Sequence, residues 1–241
     1  MAIARFVIQV LGWVVGIPLE VLAIAALLRN GYRRYPVIFV YLLVLFVTTL
    51  LSVWFSIQSF YTQNKALVRL SAKIYWIDEW ILQGLIFATV IGLIDLAIAR
   101  SPWRRILRLG LAVGVLLFAG ITFWIQYLPQ AVTFGVWMTP WISDLSVGAT
   151  VMDLALWMIL IASRKSDRRL MLICGALGMQ FTAEAIGERI VQMSGPRRSV
   201  ALGTAGSVVA VAGNLICLYV WWQTFRRMRD SRPAAISPSI P

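Results

Sequence analysis

The chain has 241 residues, of which 60% are hydrophobic and 13% charged, with a mean hydropathy of +0.82 and a formal net charge of +12. A soluble domain carries roughly twice that share of charge. The basic residues stand in short clusters at the ends of apolar runs, a placement that serves membrane topology and argues against nucleic acid as a partner. With no histidine and only Cys174 and Cys217, the usual ligands and bases of zinc hydrolysis, histidine-ligated haem and His-based triads are missing, and neither a metal nor another cofactor is expected.

Runs of about 20 apolar residues suffice to cross a hydrocarbon layer of roughly 30 Å. They predict an all-α polytopic membrane protein with seven spans, near 6–28, 36–58, 74–99, 104–127, 140–163, 169–193 and 199–225. The domain is expected over 1–228, followed by a polar, proline-rich tail, 229–241, that reads as disordered.

The first span opens MAIARFVIQVLGWVV, with one early arginine and no small-residue cleavage site, so it reads as a retained span and not as a removed signal peptide. Pro18 is its intramembrane proline. Glu20 follows two residues later, where a bend would free carbonyls for a polar pocket or merely kink the helix. The loops RNGYRRYP, RSPWRR, SRKSDRR and SGPRR carry turn signals, and Pro36, Pro102, Pro129, Pro140 and Pro196 are expected just outside the spans.

Span three holds YWIDEW, with Asp78 and Glu79 side by side in an apolar context. Tyr75, Glu79 and Gln83 recur every four residues and share a face, while Asp78 points about 100° away, toward the interface or a basic partner. Asp95, near the other end, reads as structural, snorkelling or pairing with Arg100. Span four is the least polar and is expected to face lipid on most sides.

Span five contributes Asp144 near one edge and Asp153 near the midplane, with Ser146 and Thr150 on a compatible face. In span six Gln180, Glu184, Glu188 and Gln192 form a polar stripe of four-residue period, followed by Arg189. Span seven carries Ser207 and Asn214. Its small residues Gly203, Gly206, Ala210 and Gly213 would let another helix approach closely, whether in this chain or in a partner membrane protein. The tryptophans Trp76, Trp80, Trp124, Trp141, Trp221 and Trp222 are expected in an interfacial belt. Cys174 and Cys217 fall toward the same side of the membrane and read as small packing residues, not a disulfide.

Orientation follows from the basic residues. Fifteen fall on one side: Arg29, Arg33, Arg34, Arg100, Arg104, Arg105, Arg108, Arg164, Lys165, Arg168, Arg169, Arg226, Arg227, Arg229 and Arg232. Six fall on the other: Arg5, Lys65, Arg69, Lys73, Arg197 and Arg198. The larger group is expected in the cytoplasm, which puts the N-terminus outside and the C-terminus inside.

An acid at a helix centre disfavours insertion by about 2.5–3.5 kcal/mol. The intramembrane acids should therefore face the bundle interior, pair with Arg189 or Lys73, or be protonated. Spans three, five, six and seven are expected to bring their polarity together. The resulting group either holds the helices as a hydrogen-bond and ion-pair network or lines a water-filled cavity open to the outside. The expected lining is Glu79, Gln83, Asp144, Gln180, Glu184 and Glu188.

Seven helices with an external N-terminus is also the topology of rhodopsins and heptahelical receptors. The lysines here, Lys65, Lys73 and Lys165, lie in loops or at span edges, which excludes a retinal Schiff base in the last helix. The segments RRYPVIFVYLLVLF and YWIDEWILQGLIFATVIGLIDLAI resemble a family of uncharacterised bacterial multi-pass membrane proteins with a tyrosine-proline-led span and a Y-W-x-x-E span. The likeness covers about the first 110 residues, and Tyr75, Trp76 and Glu79 carry its clearest part. It implies a multi-pass fold and an interior Glu79, and brings no function with it.

The functional expectation is a non-enzymatic protein of a bacterial inner membrane that uses an outward-facing acidic cavity to sense or transport a small or cationic ligand. One alternative is an accessory subunit of a larger membrane complex. Another is a carboxylate-dependent enzyme acting on lipid, for which no nucleophile or metal set accompanies the acids.

Overall fold

A computed structural model describes residues 2–62, 65–97, 104–127, 134–162, 168–193 and 200–227. The described residues form seven α-helices and no strand: α1 (Ala2–Asn30), α2 (Pro36–Thr62), α3 (Lys65–Ala97), α4 (Arg104–Tyr127), α5 (Phe134–Ala162), α6 (Arg168–Met193) and α7 (Val200–Arg226). Each contains a stretch long and apolar enough to cross a membrane, the shortest being Arg108–Ile125. The tail 229–241 lies outside the described residues.

Helix ends obey local chemistry. Pro36 opens α2, where its missing N–H leaves no bond unmade. Pro18 lies inside α1, which continues through it. Pro140 stands just before the apolar span Trp141–Ile161, as expected, but α5 itself begins at Phe134 and passes through it. In a helix interior the proline forfeits its bond to the carbonyl four residues back, a loss of about 3 kcal/mol that the surrounding apolar helix tolerates here.

Six helices close a ring in the order α1, α2, α3, α5, α6, α7, and α7 packs back on α1. α3 and α6 also touch across the ring, while α4 stands outside it, against α3 and α5. The outlying position of α4 agrees with its composition: none of its apolar span is buried.

The most extensive pairing, α6 with α7, depends on glycine. A Cβ on Gly187 would lie 2.6 Å from the Gly206 carbonyl oxygen, and one on Gly206 would lie 2.5 Å from that of Gly187. Gly213 likewise abuts Ala183. Small residues let two helix backbones approach closely. The small-residue face of span seven is thus occupied by α6 of the same chain, and a partner protein would have to use another surface.

Two of the expected interfacial tryptophans belong to the interior. Trp221 is fully buried and donates its indole N–H to the Ile173 carbonyl at 3.1 Å. Trp141 is 7% exposed and donates to the Ala119 carbonyl and the Thr122 hydroxyl, each at 3.2 Å. An indole is buried readily once its N–H has an acceptor, and the sequence does not display those cross-helix acceptors. Trp80 and Trp124, of the same group, are exposed. Cys174 and Cys217 are free and fully buried.

Candidate functional site

A partly open cavity of about 240 Å³ lies between α2, α3, α6 and α7. Each helix lines it with residues about one turn apart: Tyr41 and Leu45 from α2, Glu79, Gln83 and Ile86 from α3, Gln180 and Glu184 from α6, Ala210 and Asn214 from α7. This is the four-residue spacing that puts side chains on one helix face. The interior stripes of α3 and α6 meet because those two helices approach across the ring.

Four of the six expected lining residues, Glu79, Gln83, Gln180 and Glu184, come together here. Asp144 and Glu188 do not line the cavity. Asp144 Oδ1 accepts from Arg189 Nη2 at 3.0 Å, in a partly exposed ion pair linking α5 to α6. Glu188 sits one turn beyond Glu184, half-buried, with Oε2 lacking a hydrogen-bond partner. The carboxyl groups of Glu79, Glu184 and Glu188 are within Coulombic range of one another.

The expectation that span five joins the cavity wall is corrected by the packing, and α2 takes its place. α2 and α5 both pack on α3, and the α3–α6 approach divides the interior between them. α5 buries its own polar stripe, with Ser143, Ser146 and Asp153 at most 1% exposed. Asp153 lies against Gly178 of α6, where any larger residue would collide with the carboxyl group.

The neutral polar groups set the cavity's shape. Gln180 Nε2 donates to the Tyr41 hydroxyl at 3.1 Å, tying α6 to α2. Tyr41 was absent from the expected site because it stands in the apolar run FVYLLV. The available signal was chemical: a tyrosine inside an apolar helix needs a partner for its hydroxyl. Gln83 is 3% exposed and its Nε2 has no hydrogen-bond partner. Asp78, on the flank of α3, is half-buried, and its Oδ1 also lacks one. Glu20 is separate from the cavity lining; it faces α2 and its Oε1 accepts from Thr49 Oγ1 at 3.0 Å.

Among the described residues, no lysine or arginine lines the cavity. Two carboxyl groups therefore share a low-dielectric space with amide, hydroxyl and apolar neighbours. Such a space favours whatever neutralises them, a proton or a cation, since unpaired charge inside a bundle is costly. The volume holds on the order of eight waters at about 30 Å³ each, or a compact organic cation. Among the described residues, no group of three Cys, Asp or Glu side chains is placed to hold a metal ion. In comparisons with protein-family models, with curated proteins and with solved structures, none matches this chain.

Proposed function

We propose that this chain is a seven-span protein of a bacterial inner membrane, with its N-terminus outside and C-terminus in the cytoplasm, whose cavity opens outward and holds a small cation for sensing or transport. The reading is carried by one observation: Glu79 and Glu184 line a cavity in whose wall no lysine or arginine stands among the described residues. Asn214, Gln83 and Gln180 add hydrogen-bonding groups that would orient a ligand. The fifteen-to-six division of basic residues supports the orientation.

The test is ligand-dependent melting of the protein in lipid nanodiscs, with sodium, choline, ethanolammonium and putrescine as probes. At least one cation is expected to raise the melting temperature of the wild type, and Glu79→Gln with Glu184→Gln is expected to weaken that binding tenfold or more. If no probe distinguishes the wild type from the double variant, the cavity reading fails. Stoichiometric co-purification of another membrane protein would then favour the role of complex subunit.

A further inference from the structure

α5 buries a row of polar side chains. Ser143, Ser146 and Asp153 are at most 1% exposed, and Ser143 Oγ, Ser146 Oγ and Asp153 Oδ1 each lack a hydrogen-bond partner among the described residues. With Thr150 they recur at three- and four-residue spacing, which puts all four on one face of the helix. That face is turned to α6: Asp153 lies against Gly178, and Trp157, one turn further along, against Gly175. A hydroxyl in an apolar helix can turn back to the carbonyl four residues before it, as Thr150 does to Ser146 at 2.9 Å. Ser143 and Ser146 do not, so their hydroxyls are left for a partner in the seam between the helices.

Spacing identifies that partner. Along the helix the steps from Ser143 to Ser146, Thr150 and Asp153 are about 4.5, 6 and 4.5 Å. One water making two hydrogen bonds of about 2.8 Å each bridges such a step, and buried waters serve polar groups that have no other partner. Ser143 adjoins Asp144, whose partly exposed pair with Arg189 belongs at the membrane boundary. From Ser143 to Asp153 the helix rises about 15 Å, half of a hydrocarbon layer of roughly 30 Å. The row thus runs from the boundary to the midplane and ends on a carboxyl group. From α6 and α7 the titratable groups facing Asp153 are the thiols Cys174 and Cys217. No charged side chain interacts with it among the described residues. What such a carboxyl group takes up is a proton.

We propose that Asp153 is a proton-binding site, filled and emptied along a file of water held by Ser143, Ser146 and Thr150. On release the O–H bond of the carboxylic acid breaks and its proton passes to the adjacent water. Each water gives up one proton as it accepts another, so one proton leaves at the Ser143 end and a carboxylate remains. Uptake is the reverse. The site is independent of the acidic cavity, which is lined by α2, α3, α6 and α7 and not by α5.

The test is infrared difference spectroscopy of the protein in lipid nanodiscs on transfer from water to heavy water. Loss of a band in Asp153→Asn identifies the Asp153 carboxylic acid. That band is expected to grow as the pH falls and to take its deuterated position as soon as the solvent is exchanged. Ser143→Ala with Ser146→Ala should slow that exchange roughly tenfold or more, since each hydroxyl contributes a hydrogen bond to the file, with melting little changed. Should Asp153→Asn not fold, Gly178→Ala identifies the band instead, because its methyl presses on the carboxyl group and shifts it. Absence of an Asp153 band at every pH at which the protein stays folded, a band that keeps its protonated position in heavy water for hours, or an exchange rate untouched by the double serine variant would each overturn the proposal.

Discussion

Arg189 donates to Asp144 across the α5–α6 contact, at 3.0 Å, with the two side chains 51% and 29% exposed. A pair this open contributes about 0–1 kcal/mol. Asp144→Asn is therefore expected to lower stability by less than ~1 kcal/mol, measured by thermal unfolding in detergent. A larger loss would mean that the pair is shielded by lipid or by a further contact.

Because Asp144 engages Arg189, Glu184 has no basic partner among the described residues for a substitution to strand. Glu184→Gln keeps the side chain's shape and should leave melting nearly unchanged, and Glu79→Gln is an independent second reading. Removing the partner of a buried cation would instead cost roughly 3–5 kcal/mol. A collapse in yield and melting temperature for both variants would shift the weight from a ligand cavity to a structural network.

The contact of Gly187 with Gly206 makes a sharper stability test. Gly206→Leu forces side-chain atoms against the Gly187 carbonyl and Val191. Overpacking of this kind typically costs about 1–3 kcal/mol, and more is expected here because backbone must move. Gly84→Ala is the control: its new methyl meets nothing within 4 Å, and removing a helical glycine should be neutral or stabilising by up to ~1 kcal/mol. Equal losses in both variants would contradict the α6–α7 packing.

Tyr41→Phe removes the acceptor of Gln180 Nε2. Interhelical side-chain hydrogen bonds in membranes average about 0.6 kcal/mol and reach about 1.7 kcal/mol, so a loss in that range is expected on unfolding. Cation binding should weaken at the same time, because Gln180 is released into the cavity. An unchanged binding isotherm with lowered stability would assign Tyr41 a packing role only.

Topology is checked with reporter fusions. Those placed after residues 33, 103, 166 and 230 are expected in the cytoplasm, and those after 64, 134 and 196 outside, as the basic asymmetry requires. Two successive loops reporting the same side would sink the seven-span arrangement.

Helix number and span positions were legible in the sequence because each apolar run must satisfy its own backbone within one helix, and that constraint is local. The four-residue stripes of α3 and α6 were legible for the same reason: periodicity alone puts Glu79 with Gln83 and Gln180 with Glu184 on shared faces. Which stripes would meet was decided only by the tertiary structure. In place of α5, α2 completes the cavity wall, because the α3–α6 contact divides the ring and leaves Asp144 and Asp153 on its far side. Trp141 and Trp221 were unreadable in the same way, since the carbonyls that accept their indole N–H groups belong to other helices. The glycines of span seven announced a close approach, but whether it was made to α6 or to a second protein depended on a backbone contact with Gly187. Spacing along one helix is written in one stretch of sequence; the choice of neighbour depends on the shape of every other helix at once.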